Sequence, residues 1–171
     1  MLARHRKQLT LFVNPKDAVQ IEAIRAEYNS VQYELIPAHV TLCREDEIEP
    51  IAETIKRIQS ISLEKPIEIA FKKVERFSNG KGVFMPCVEE YLAFTNLRRA
   101  VLGQSILQKH QEPHITLMHP RNSTCTDALF TQIAAKTLPT KLTFSTISLI
   151  EQKNGGVWKI LQEFEFTPNL L

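Results

Sequence analysis

A chain of 171 residues with 43% apolar and 23% charged side chains can bury a substantial core and has the composition of a globular protein, not of a disordered or fibrous one. A formal charge of +2 argues against an extended surface for long nucleic acid and leaves a small anionic ligand open. No apolar run approaches the ~20 residues of a membrane-spanning helix, and the three cysteines, Cys43, Cys87 and Cys125, form no Cys-x-x-Cys pair. A disulfide framework and a zinc ribbon are therefore not suggested, and a monomer in a reducing, cytoplasmic setting away from membranes is expected.

Residues 1–7 carry Arg4, Arg6 and Lys7 ahead of an apolar stretch too short for a signal peptide, and His5 is expected to lie in a mobile start. Residues 8–14 read as a strand; Pro15 then suits a first helical position, opening a helix to about Tyr28 with apolar Val19, Ile21 and Ile24. Pro37 ends any helix before a strand at His39. Next, Ile48, Ile51, Ile55 and Ile58 fall at helical spacing, and Glu45, Asp46, Glu47 and Glu49 are read as complementing that helix's dipole rather than binding a cation. Residues 67–71 alternate and run towards Asn79-Gly80, as the first arm of a hairpin would.

Residues 82–88 then lead into a helix from about Glu89 to Gln108, and Pro113 precedes a second strand at His114. Leu129, Phe130 and Ile133 mark another helix, and 142–144 alternate towards Asn154-Gly155 as another hairpin arm. The order repeats: His39-Val40-Thr41-Leu42 returns as His114-Ile115-Thr116-Leu117, and Asn79-Gly80 as Asn154-Gly155, both 75 residues later. An α+β fold is expected, with two pseudo-symmetric lobes of antiparallel sheet and flanking helices around a central cleft. The repeats span about 8–82 and 83–166 within one domain, 1–171.

On a strand, His39 and Thr41 project one way and Val40 and Leu42 the other; His114 and Thr116 do the same. Two lobes facing each other would bring two imidazoles and two hydroxyls to one small volume. A phosphodiester displacement uses such groups: a base for the attacking oxygen, an acid for the leaving oxygen, and donors to the nonbridging oxygens. Histidine suits both proton roles, one ring neutral and the other protonated near neutrality. With the threonine hydroxyls as donors, no metal is required.

These paired motifs resemble the two-histidine phosphoesterase superfamily, which includes bacterial and archaeal 2′-5′ RNA ligase-like proteins and plant cyclic phosphodiesterases. Residues 37–42 (Pro-Ala-His-Val-Thr-Leu) and 113–117 (Pro-His-Ile-Thr-Leu) carry the resemblance. It implies hydrolysis of 2′,3′-cyclic phosphates to 2′-phosphates, or reversible making and breaking of 2′-5′ linkages, at RNA or nucleotide termini. It maps catalysis onto His39 and His114 and phosphate contacts onto Thr41 and Thr116. A ligase running the reaction in reverse and a non-catalytic binder of RNA termini are the alternatives.

Arg121 follows the second motif, as Arg44 follows the first, and is favoured as a further substrate contact. Lys72, Lys73, Arg76, Lys81, Arg98 and Arg99 are weaker phosphate candidates, most simply solvated. Among the aromatics, Phe12, Tyr33, Phe84 and Trp158 could stack on a base, although core packing is the commoner fate. His110, His114 and His119 lack metal-ligand geometry, because Pro113 interrupts the run and the spacing splits His114 from His119 across strand faces. Asn79-Gly80-Lys81-Gly82 lacks P-loop spacing, and no cofactor is expected.

Overall fold

Helix α1 (Pro15–Tyr28) starts where proline and asparagine dictate: the Asn14 side chain accepts a hydrogen bond from the Lys16 amide at 3.0 Å, with Pro15 just inside. It buries Ile21 and Ile24 but leaves Val19 61% exposed, so the expected apolar face is narrower than the sequence suggests. The computed structural model describes residues 4–167; residues 1–3 of the basic start lie outside that range. Strand β1 (His5–Phe12) begins at His5, correcting the expectation of a mobile start. The Arg4 amide donates to Asn154 Oδ1 at 2.9 Å, and Asn154 returns its own amide to the Arg4 carbonyl.

A short helix not anticipated from sequence, α2 (Ser30–Leu35), leads to β2 (His39–Cys43). Then come α3 (Ile51–Ser60), β3 (Ile67–Ala70), β4 (Glu75–Arg76) and β5 (Val83–Pro86). Ile48 precedes α3 instead of belonging to it; it is fully buried, and its carbonyl accepts from Thr54 Oγ1. Helix α4 (Leu92–Leu102) stops well short of Gln108 because Gly103 adopts the left-handed conformation, φ 63°, at its end. The chain closes with β6 (His114–Met118), α5 (Asp127–Ala134), β7 (Lys141–Phe144), β8 (Thr146–Lys153) and β9 (Lys159–Glu165). Among the described residues no helix is long and apolar enough to cross a membrane.

The fold is α+β, with antiparallel sheets and flanking helices, as the element order suggests. One sheet runs β2-β1-β8-β9, another β4-β5-β6, and β3 pairs with β7. The segments at 67–71 and 142–144 are therefore not hairpin arms. They pair with each other, Ile67 opposite Phe144 and Ile69 opposite Leu142, and the Asn-Gly turns join the strands that follow, β4 to β5 and β8 to β9. Alternation reports which face of a strand is buried; it does not name the partner.

Each larger sheet draws strands from both halves of the chain. Allowing for the 75-residue offset, β2-β1-β8 and β6-β5-β4 are the same three strands in the same antiparallel order. Gly82 is needed at the second sheet's turn, since a Cβ there would sit 2.5 Å from the Met118 carbonyl oxygen and 2.7 Å from the Phe77 ring. The apolar faces of the sheets and helices join in one core cluster that includes Leu9, Val40, Ile115 and Ile147.

Candidate active site

The two histidine strands have the same burial rhythm: Val40, Leu42, Ile115 and Leu117 are fully buried, while His39, Thr41, His114 and Thr116 are half-buried. Strands β2 and β6 contact each other. Their polar faces share a cleft of ≈ 690 Å³ whose walls include His39, Thr41, His114, Thr116 and Arg121, so all five residues singled out from sequence line one cavity.

Each imidazole is held in the same way. His39 Nδ1 lies 2.8 Å from the Pro37 carbonyl oxygen and His114 Nδ1 lies 3.0 Å from that of Glu112. A carbonyl only accepts, so Nδ1 carries the proton and Nε2 is the free ring nitrogen in both. The rings are also buttressed edge-on, Phe12 against His39 at 6.1 Å and Phe84 against His114 at 5.7 Å between centroids. Phe12 and Phe84 therefore support the imidazoles; Tyr33 is an exposed residue of α2, and Trp158 lines the cleft.

Burial sets the electrostatics. Desolvation pushes His39 down from 6.5 to about 4 against the bond to Pro37, with further lowering from Arg25, His114 and His119. Desolvation also lowers His114, opposed by its bond to Glu112 and assisted by the Arg44 charge. Burial thus favours the neutral form of both rings, whereas one neutral and one protonated ring was expected. An anion between them would favour protonation of either.

The cleft also gathers basic groups: Arg4, Arg6, Lys7, Arg25, Arg44 and Arg121 line it against the carboxylates Glu45 and Asp46. Much of the positive charge that looks unremarkable in the whole chain is therefore focused on one concavity. Sequence reading missed His119, which also lines the cleft and is pushed down to about 4 by burial and by Arg121, Arg6 and His114. Its Nδ1 accepts the Arg121 amide at 3.1 Å. The signal was available, because His119 stands 75 residues after Arg44, so both repeats place a basic group at this position. His110 instead pairs with Glu112.

Two buried arginines hold the backbone beneath the histidines. Arg25 donates to Glu22 at 2.6 Å and to the Ile36 carbonyl at 2.7 Å, while Glu22 accepts the Ala38 amide, fixing the residues on either side of Pro37. Arg98 is 1% exposed; it donates to Glu47 at 2.6 Å, to the Lys109 carbonyl at 3.2 Å and to the Leu42 carbonyl. It is a buried clamp, not the solvated cation or phosphate contact considered from sequence. Three of the four acidic residues are likewise reassigned: Glu47 serves Arg98, Asp46 pairs with Lys109 and Glu45 with Arg6, all ahead of a helix that starts only at Ile51, whereas Glu49 accepts the Ile51 amide at 3.2 Å and serves that helix start as expected. Arg76 pairs with Asp127. Cys43, Cys87 and Cys125 are buried free thiols, and desolvation raises Cys43 to about 12 and Cys87 to about 11, so these two stay protonated and unreactive.

A family model described as the 2′-5′ RNA ligase superfamily matches residues 13–156. No curated protein matches. Among solved structures, Escherichia coli LigT complexed with NADP+ is similar with a TM-score of 0.65 at 14% identity, over 96% of this chain and 98% of that one. LigT complexed with phosphate gives 0.61 at 17% identity over 96% and 98%. TT0787 of Thermus thermophilus gives 0.59 at 16% identity over 96% and 99%.

Proposed function

Because the chain belongs to the 2′-5′ RNA ligase superfamily, we propose that it is a metal-independent phosphoesterase that opens 2′,3′-cyclic phosphates, or cleaves 2′-5′ phosphodiesters, at RNA or nucleotide termini. The observation that carries this reading is the pair of imidazoles in one cleft, each with Nδ1 tied to a backbone carbonyl and Nε2 free. One Nε2 takes the proton of the attacking water as its oxygen bonds to phosphorus; the other imidazole, protonated, donates to the departing ribose oxygen. For a 2′,3′-cyclic phosphate the bond broken is P–O3′ and the product is a 2′-phosphate. Thr41 and Thr116 hydroxyls donate to the nonbridging oxygens, and the cationic walls draw the anion in. With a ribose 5′-hydroxyl in place of water, the same groups would join a 2′-5′ linkage: P–O5′ forms as P–O3′ breaks, one imidazole taking the 5′-hydroxyl proton and the other protonating O3′.

The fold likeness adds support, since LigT is solved in complex with phosphate. The deciding experiment is incubation with a panel of 2′,3′-cyclic nucleotides and 2′-5′ dinucleotides in excess chelator, identifying the position of the product phosphate. Turnover to 2′-phosphates that is indifferent to chelator is expected. Activity that requires an added divalent ion, or no turnover of any member of the panel, would overturn the proposal.

The depressed imidazole pKa values add a pH prediction. The kcat/KM profile reports the free enzyme, in which both rings lose their protons below 6.5; its bell is expected to centre on the acid side of 6.5. The kcat profile reports the complex, where the bound phosphate raises both rings, so its maximum should lie at higher pH. Coincident profiles, or a flat response from about pH 5 to 9, would contradict this account.

A further inference from the structure

Three imidazoles line the cleft, and their ring nitrogens are not used alike. In His39 and His114, Nδ1 faces a backbone carbonyl and must carry the ring proton. In His119, Nδ1 accepts the Arg121 backbone amide at 3.1 Å. An amide N–H only donates, so Nδ1 of His119 holds a lone pair and its ring proton sits on Nε2. From this inverted tautomer we infer that His119 is a neutral hydrogen-bond donor to the reacting phosphoryl group, and not a third proton-transfer residue. The inference rests on the phosphoesterase reading and adds a substrate contact to it.

The geometry holds the ring in that state. Charging His119 would place a proton on Nδ1, where the Arg121 amide proton already points, so protonation forfeits that hydrogen bond. Burial, Arg121 on its own loop, Arg6 of β1 and His114 of β6 act in the same direction, pushing it down to about 4. His119 in turn bears on His39, as His114 bears on His119, which puts it beside both proton-transfer rings. Its backbone is braced from the junction of α1 and α2. The His119 amide donates to Oδ1 of Asn29, a residue 4% exposed, at 2.7 Å, and its carbonyl accepts the Asn122 amide at 3.1 Å and Ser123 Oγ at 2.6 Å. Asn29 also donates to Asn122 Oδ1 at 3.0 Å, and Asn122 to Gln32 Oε1 at 3.0 Å. A donor fixed in this way needs no reorganisation when charge develops on phosphorus-bound oxygens. The equivalent position in the first repeat is Arg44, whose guanidinium also only donates. What the two repeats share at this position is therefore a donor, not a charge.

Two substitutions separate the roles. His119→Asn keeps an acceptor for the Arg121 amide, but its N–H stops short of the position of Nε2. His119→Gln reaches that position with an amide N–H and cannot relay a proton. On a 2′,3′-cyclic nucleotide, H119N is expected to lose about 10- to 100-fold in kcat/KM, and H119Q to recover most of it with the pH profile of the wild type. Without turnover, two-bond ¹H–¹⁵N correlations near neutral pH should show His119 protonated at Nε2 alone, opposite to His39 and His114. Added inorganic phosphate should shift that Nε2 resonance saturably, with an affinity weakened in H119N and kept in H119Q. A proton on Nδ1 of His119, a resonance indifferent to phosphate, or H119Q as impaired as H119N would overturn the inference. If cyclic ends are not hydrolysed, the phosphoesterase reading fails, and the ring correlations with the phosphate titration still decide whether His119 is a neutral donor.

Discussion

Replacing His39 or His114 by alanine is expected to lower kcat on a 2′,3′-cyclic nucleotide by about 10²- to 10⁴-fold, or roughly 3 to 5 kcal/mol of transition-state stabilisation. In the proposed mechanism each ring makes a proton transfer through Nε2 that the adjacent Thr41 and Thr116 hydroxyls cannot take over, because they do not titrate near neutrality. The two losses should not add. A proton removed at one end of the displacement is useful only if one is delivered at the other, so the double variant should be little worse than either single one. Folding should survive, since both residues are half-buried and their motif neighbours Val40, Leu42, Ile115 and Leu117 carry the packing. His39→Asn sharpens the test: its amide can still donate to the Pro37 carbonyl yet cannot relay a proton, so it should melt like wild type and be as inactive as H39A. Full activity in both alanine variants, measured on a substrate the wild type turns over, would remove the basis of the proposed mechanism.

The largest effect on stability is expected at Arg98. Its side chain is 1% exposed, that of Glu47 is 7% exposed, and the pair is held at 2.6 Å. The guanidinium also serves carbonyls at Leu42, within β2, and at Lys109, on the approach to β6, so one side chain of α4 ties together the chain leading to both histidines. Arg98→Met would leave a buried carboxylate and those acceptors without their donor, at a cost of about 3 to 5 kcal/mol. For a chain of this size that lowers Tm by roughly 6 to 20 °C. Much of the loss is the penalty of an unpaired charge. The double variant Arg98→Met with Glu47→Leu should therefore recover most of it, helped by removing an Nε that has no partner among the described residues. Arg25→Met should cost less, because Glu22 is 22% exposed and still accepts the Ala38 amide. Thermal melts of the three variants check the ranking; an R98M protein as stable as wild type would show that the clamp is not what holds these strands.

The repeat makes Arg25 and Arg98 intelligible together. Each donates to the carbonyl eleven residues ahead, Ile36 and Lys109, on the way into a histidine strand. Their separation is 73 residues, whereas the motif histidines are 75 apart, because the second approach is two residues longer. A search at a single fixed offset passes over a pair displaced in this way, and charge on a helix face reads as solvated until the packing partner is known.

What was legible in the chain was local. Pro15 and Asn14 set the start of α1, Pro37 and Pro113 cleared the approach to the histidine strands, and the alternation in His39–Leu42 and His114–Leu117 separated cleft residues from core residues. These are properties of a few adjacent dihedrals and of period-two geometry, so the residues themselves determine them, and their recurrence singled out the two imidazoles that line one cleft. The partners of β3 and β7, the exchange of β4 and β8 between halves, the burial of Arg98 against Glu47, the gathering of His119 and Arg6 at the cleft, and the depressed pKa values of the histidines were decided only by tertiary structure. Each depends on which distant segment excludes water from a given group. Hydrogen-bond partner, desolvation and local field are properties of that assembled neighbourhood, and a residue's own sequence context does not encode them.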